Sequence, residues 1–240
     1  MAHYFDLDPS LASKERNIEY FIDGRTIVLI SDNGVFSKDK IDEGSLAFLK
    51  VLVPLRLSGR ILDLGCGYGP IGLTIAITSP TARVDLADIN TRALALCEKN
   101  AFKLGLSQRV TVLHSDIYES IEGKYDSIVV NPPIRAGKVV TYAMYEGAFT
   151  HLIDGGSLFI VIRKNQGAPS ASKYIESIFG KHLCDRAGLR IQRGWNAPRP
   201  LPCAEALLCD HSLGAQGCRI LLLKAVWRRQ AFLYRGDEPE

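Results

Sequence analysis

Ile61-Leu62-Asp63-Leu64-Gly65-Cys66-Gly67-Tyr68-Gly69 runs from a short apolar, β-prone stretch straight into three glycines at alternate positions. Glycines so spaced allow unusual φ values and a close approach of backbone to ligand. The helix expected next, from Pro70 to Thr78, would present free N–H groups at its start. Strand, glycine loop and helix together read as a nucleotide-type cradle at Gly65, Gly67 and Gly69, although a tight turn without a ligand has the same local pattern. The spacing is G-x-G-x-G, whereas a pyrophosphate loop more often reads G-x-G-x-x-G, so a dinucleotide is disfavoured. Asp63 closes the first strand and suits a ligand carrying an ammonium group. Asp88 closes the next, Val84-Asp85-Leu86-Ala87-Asp88, and is placed to accept bonds from ribose hydroxyls. S-adenosylmethionine has both groups. Asp116, in His114-Ser115-Asp116 after the third strand, is a further candidate, either for an adenine amino group or as a plain helix cap.

Outward from this loop, apolar strand-like runs alternate with helical periodicity. Strands are expected at Arg60 to Leu64, Arg83 to Ala87, Arg109 to Leu113, Tyr125 to Val130 and Ser157 to Ile162, and helices at Pro70 to Thr78, Thr91 to Leu104, Val139 to Leu152 and Ala171 to Phe179. Repeated βα units of this kind build a mostly parallel sheet covered on both faces. Upstream, Asn17 to Ile22 and Arg25 to Ile30 are joined by Asp23-Gly24, a pair suited to the positive φ values of a type I′ turn, and form an expected β-hairpin. A Gly- and Ser-bounded loop and a helix over Ser45 to Leu52 follow. Beyond Gly180 two segments, Gly188 to Ile191 and Gly217 to Leu223, are each candidates for a late strand.

Composition bounds the class. The 240 residues, 47% hydrophobic and 23% charged, suffice for one large core with or without an extension. No apolar run approaches the ~20 residues that span a bilayer, and MAHYFDLDPS lacks a basic-then-apolar signal pattern, so the expected location is the cytoplasm, away from membranes. The six cysteines include no C-x-x-C pair and are expected to be reduced thiols. Cys203, Cys209, His211 and Cys218 lack the short paired spacing of structural zinc sites, so no metal is expected. A net charge of +3 permits a nucleic-acid partner without requiring one.

The strand Tyr125 to Val130 leaves through Asn131-Pro132-Pro133. Proline fixes its own φ and holds the residue before it extended, so Asn131 and Pro132 have nearly set geometry. Parallel strands end on one edge, which puts Asn131 in the same crevice as the glycine loop. Its carboxamide oxygen and the Pro132 carbonyl are two acceptors for an exocyclic amine. Set around that planar nitrogen, they would favour its rehybridisation and free the lone pair for in-line attack on a sulfonium methyl. A Pro-stiffened turn with no chemistry is the plainer alternative.

These motifs resemble the class I S-adenosylmethionine-dependent methyltransferases, and more narrowly the small-domain family that includes ribosomal RNA guanine-N2 methyltransferases. The resemblance runs through His3-Tyr4-Phe5, Gly34-Val35-Phe36-Ser37, Asp42-Glu43-Gly44-Ser45, the glycine loop, Asp88-Ile89-Asn90, Asn131 to Lys138, and Lys164 to Ala168. It implies a Rossmann-like, doubly wound, seven-stranded sheet with one reversed strand, here with an N-terminal hairpin. It also implies cofactor binding at Asp63, Gly65, Gly67, Asp88 and Asp116, with catalysis at Asn131 and Pro132. Pro133, Ile134, Arg135, Lys138 and Lys164 are the expected substrate-side residues; Arg135, Lys138, Arg163 and Lys164 fall near the same sheet edge, either to meet RNA phosphates or as plainly solvated loop cations. Where adenine- and cytosine-directed enzymes commonly place an aromatic after Asn-Pro-Pro, this chain has Ile134, which favours a guanine or another amine. The better-characterised ribosomal RNA enzymes resemble a duplication, of which this chain matches the catalytic half. A domain over 1–193 and an atypical extension over 194–240, partly disordered, complete the expectation. The expected reaction is N-methylation of guanine N2 in ribosomal RNA. The competing readings are a protein glutamine amide, a small-molecule amine, or a non-catalytic cofactor- or RNA-binding module.

Overall fold

The computed structural model describes residues 11–163, 166–179 and, for the backbone alone, 220–226. Readings made at Lys164, at the strand over 188–191 and at the Cys203 to Cys218 group lie outside the described residues.

The hairpin pairs β1 (Arg16–Ile22) with β2 (Arg25–Ser31) in the expected register, Ile22 opposite Arg25 and Ile18 opposite Leu29. Its turn has φ of 52° at Asp23 and 74° at Gly24, the left-handed pair that a two-residue connection needs. Alternation buries Ile18, Tyr20, Ile22, Ile27 and Leu29, leaving Asn17, Glu19 and Phe21 exposed and Val28 and Ile30 half-buried.

Helix α1 (Glu43–Leu52) starts at an Asp42 N-cap, whose carboxylate accepts from Ser45 N–H at 3.0 Å. There follow β3 (Gly59–Leu64), α2 (Pro70–Thr78), β4 (Ala82–Asp88), α3 (Thr91–Lys103), β5 (Val110–His114), β6 (Tyr125–Val130), α4 (Lys138–His151), β7 (Leu152–Arg163), α5 (Ala168–Phe179) and β8 (Ile220–Val226). Among the described residues the main sheet has six strands in the order β5-β4-β3-β6-β7-β8. The pairs from β5 through β7 are parallel, and β8 runs antiparallel to β7. Of the two candidate late strands, the one read over 217–223 is thus present, within the stretch the sequence set apart as an extension. It joins the main sheet itself, paired with β7.

Successive residues of each central strand face opposite layers. Ile61, Val84, Leu86, Val129 and Phe159 pack under α1, α2, α3 and the hairpin. Leu62, Leu64, Ile128, Val130 and Ile160 pack under α4 and α5. Both faces are covered, which is why these strands read as unbroken apolar runs. The chain moves outward from β3 to β4 and β5, then returns to the other side of β3 as β6. That reversal is the topological switch point, outside whose strand ends ligands bind in open α/β sheets.

Candidate functional site

Register assembles the site. Leu64 pairs with Ala87 on one side and Val130 on the other, and Asp88 pairs with His114. The residues that follow these positions, Gly65, Asp116 and Asn131, therefore leave the sheet on one edge beside Asp88. There they surround a cavity of about 560 Å³. Of the residues anticipated from sequence, Gly65, Gly67, Asp88, Asp116, Asn131, Pro132, Pro133, Ile134 and Arg135 line it. Lys138, the exposed first residue of α4, and Gly69 do not, nor does Asp63.

All three loop glycines have positive φ, 75° at Gly65, 56° at Gly67 and 91° at Gly69. A Cβ on Gly67 would meet no atom within 4 Å, so the space over the loop is open for a ligand. Behind it, Gly65 and Cys66 donate to the Ala87 carbonyl at 2.8 and 3.0 Å. Asp88 braces the loop from β4: one carboxylate oxygen accepts Gly67 N–H at 2.8 Å and the other accepts Asn90 N–H at 2.9 Å. Burial raises its pKa despite these donors.

Asp63 sits beneath the loop, 1% exposed. Its Oδ2 accepts Gly72 N–H at 2.7 Å, tying β3 to α2, while its Oδ1 is buried with no partner. Burial pushes this carboxyl up to about 7, against the Gly72 N–H that lowers it and with Asp88 adding to the rise. A buried acceptor without a donor is costly, so Oδ1 is an unmet hydrogen-bonding demand directly beneath the glycine loop. The Tyr68 hydroxyl is a second such atom, buried without a partner on a residue that lines the cavity. Asp116 is exposed, on a turn whose next residue, Ile117, has φ of 51°.

On the other side of the switch point, Asn131 is half-buried. Its Nδ2 donates to Ser45 Oγ at 2.9 Å and lies 3.4 Å from Asp42 Oδ2. Phe36 lines the rim and is 57% exposed. Arg135 is exposed, whereas Arg163 lies 3.9 Å from Asp42 Oδ1 and 3.6 Å from Glu43 Oε2, so acidic neighbours already share its charge. Asp42 and Ser45 as neighbours of Asn131 are not legible from local pattern, since 89 and 86 residues separate them from it. The thiols of Cys66 and Cys97 lie 3.8 Å apart behind the loop, and burial raises the Cys66 thiol well above its ordinary range. No group of three metal-ligating side chains occurs among the described residues.

Fold and cradle together are those of a Rossmann-like methyltransferase. The chain belongs to the methyltransferase small-domain family, whose profile matches residues 26–189. It is 38% identical over 179 residues to YbxB, an uncharacterized protein of Bacillus subtilis, covering 74% of this chain and 89% of that one. It is 34% identical over 168 residues to ribosomal RNA small subunit methyltransferase C of Salmonella choleraesuis, covering 68% of this chain and 47% of that one. Among solved structures, the T. thermophilus 16S rRNA N2 methyltransferase in complex with AdoMet and guanosine superposes with a TM-score of 0.69 at 24% identity, over 92% of this chain and 52% of that chain. The chain thus spans about half the length of the ribosomal RNA enzymes it matches.

Proposed function

We propose that this protein transfers a methyl group from S-adenosylmethionine to an exocyclic amine, guanine N2 of ribosomal RNA, in the cytoplasm. The observation that carries the reading is the placement of Asn131 one strand from the glycine loop, at the end of the residue pair Leu64 and Val130, on a shared cavity.

The residues present fit this cofactor. The open space over Gly67, the unpartnered Asp63 Oδ1 and the Asp88 carboxylate suit an amino acid moiety and a ribose joined by a small linker, and Asp116 stands at the outer end for a base. When bound, the cofactor supplies an electrophilic methyl carbon on a sulfonium. Asn131 Oδ1 and the Pro132 carbonyl accept hydrogen bonds from the two N–H groups of the acceptor amine and hold its nitrogen lone pair toward that carbon. The nitrogen loses a proton to solvent after transfer. Pro133 and Ile134 provide the apolar wall next to the acceptor, and Arg135, Lys138 and Lys164 are the cations proposed to meet RNA phosphates. The finer fold reading, seven strands with one reversed, belongs to the same proposal, and β8 supports it as the reversed strand. The domain is then drawn to include β8 rather than to end at 193.

The test is transfer of a labelled methyl group to ribosomal RNA, free and in assembled subunits, followed by nucleoside mass spectrometry. N2-methylguanosine is the expected product, absent with Asn131→Ala although that variant still binds S-adenosylhomocysteine. Label on a protein or a small amine instead would replace the RNA acceptor. Cofactor binding with no transfer to any acceptor would make the chain a binding module.

A further inference from the structure

A carboxamide has two ends, and only the oxygen end can accept a proton from an amine. We infer that Asp42 and Ser45 are positioning residues that orient the Asn131 carboxamide with its oxygen toward the acceptor, an inference that rests on the acceptor-amine reading above. Ser45 Oγ, 2.9 Å from Nδ2, does not by itself choose an orientation, because a hydroxyl both donates and accepts. Asp42 does, because a carboxylate only accepts. Its Oδ2 lies 3.4 Å from Nδ2, and a flipped amide would set oxygen against oxygen there.

The clamp is itself held in place. Asp42 Oδ2 also accepts Ser45 N–H at 3.0 Å as the cap of α1, and Asp42 Oδ1 faces Arg163 Nη2 at 3.9 Å. Three elements, the start of α1 and the ends of β6 and β7, therefore meet on one carboxylate. Gly44 permits the approach, since a Cβ there would lie 2.7 Å from Asp42 Oδ2 and 3.9 Å from Asn131 Nδ2. With both Nδ2 hydrogens engaged, Oδ1 is left without a partner among the described residues, on a side chain that lines the cavity. Reversed, the same residue would present an NH2 group to the acceptor's own NH2, and the lone pair would not be freed.

The experiment compares the full chain with Ser45→Ala and Asp42→Asn. Asn caps helices as well as Asp, so the second variant keeps α1 while replacing the acceptor with a group that accommodates either amide orientation. Melting temperature and acceptor KM are measured beside three further quantities. They are solvent exchange of the Asn131 side-chain NH2 protons by NMR, assigned by their loss in Asn131→Ala, S-adenosylhomocysteine affinity by calorimetry, and single-turnover methyl transfer. Both variants are expected to lose NH2 protection and to transfer about ten to a hundred times more slowly at saturating acceptor, with acceptor KM and S-adenosylhomocysteine affinity unchanged. Unchanged NH2 protection would overturn the inference. So would a parallel fall in affinity, melting temperature and transfer, which would make the pair a support for α1 alone. If the parent methylates no amine, the acceptor reading fails while the NMR arm still decides the orientation.

Discussion

Asn100 on α3 and Ile30 on β2 exchange two hydrogen bonds, Ile30 N–H to Oδ1 at 2.7 Å and Nδ2 to the Ile30 carbonyl at 3.0 Å, so that a side chain stands in for the next strand of the hairpin. The same Nδ2 reaches the Tyr68 carbonyl of the glycine loop at 3.1 Å. Asn100 is fully buried, and replacing it with Leu strands three backbone groups. Asn100→Leu is expected to destabilise the fold by about 2–4 kcal/mol, read as a lowered urea midpoint at unchanged slope, and to weaken S-adenosylhomocysteine binding through the loosened loop.

Asp63 makes stability depend on pH in an unusual direction. Its carboxyl stands at about 7 in the folded state against an ordinary 3.8, so the folded chain holds this proton more tightly than the unfolded one. The resulting stabilisation is complete below the unfolded value and is lost as pH rises toward the folded one. Asp63→Asn, which keeps an acceptor for Gly72 N–H, should therefore gain stability relative to the parent between about pH 4 and pH 7, by up to roughly 4 kcal/mol. Urea titrations across that window check this, and a constant difference would count against it.

If the proposed cofactor brings its ammonium to Asp63 Oδ1, that charge favours the ionised carboxylate. S-adenosylmethionine binding near neutral pH should then release a proton, seen as a calorimetric enthalpy that changes with buffer ionisation enthalpy. That dependence should vanish in Asp63→Asn.

Two glycines only five residues apart should fail differently. Gly72 has ordinary helical φ, but a Cβ there runs into Leu86 Cδ2 and comes within 3.0 Å of Asp63 Oδ2. Gly72→Ala is expected to cost about 1–3 kcal/mol of stability. Gly67→Ala meets open space and carries only backbone strain of about 1–2 kcal/mol, yet it fills the ligand's side of the loop. Cofactor affinity should fall disproportionately there, so a plot of affinity loss against stability loss separates the two variants.

Phe36 supplies an exposed aromatic at the rim where Ile134 offers none. Phe36→Ala should raise the acceptor KM by the equivalent of about 1–3 kcal/mol of stacking and leave S-adenosylhomocysteine binding intact. Equal losses in both would assign Phe36 to the cofactor side.

Local pattern made much of this legible. Tyr125–Val130 and Pro70–Thr78 have the expected boundaries, because apolar runs bounded by Asn-Pro-Pro or opened by Gly-Pro are punctuated by backbone chemistry alone. β7 begins at Leu152, earlier than Ser157, since Ile153-Asp154-Gly155-Gly156 shows no strand alternation and is drawn in by pairing with β6 across an irregularity. The apolar run into Gly65 puts Asp63 near the end of β3, but its complete burial beneath the loop depends on how α2 returns over β3. The partners of Asn131, the bonds of Asn100 and the meeting of Cys66 with Cys97 are all contacts between distant segments, for which periodicity carries no signal.

The central position of β3 has a consequence for biosynthesis. Its two neighbours are β4, the next strand in the chain, and β6, which arrives more than sixty residues after β3 begins. On a growing chain the glycine loop can be braced by Asp88 early, while the Asn131 half of the pocket waits until β6 has emerged and docked. Ribosome-bound intermediates truncated before Tyr125 should therefore lack Asn131 and Pro132, the pair proposed to hold the acceptor amine. A nascent chain gains both halves of its pocket only in the step that closes its longest-range strand pairing around β3.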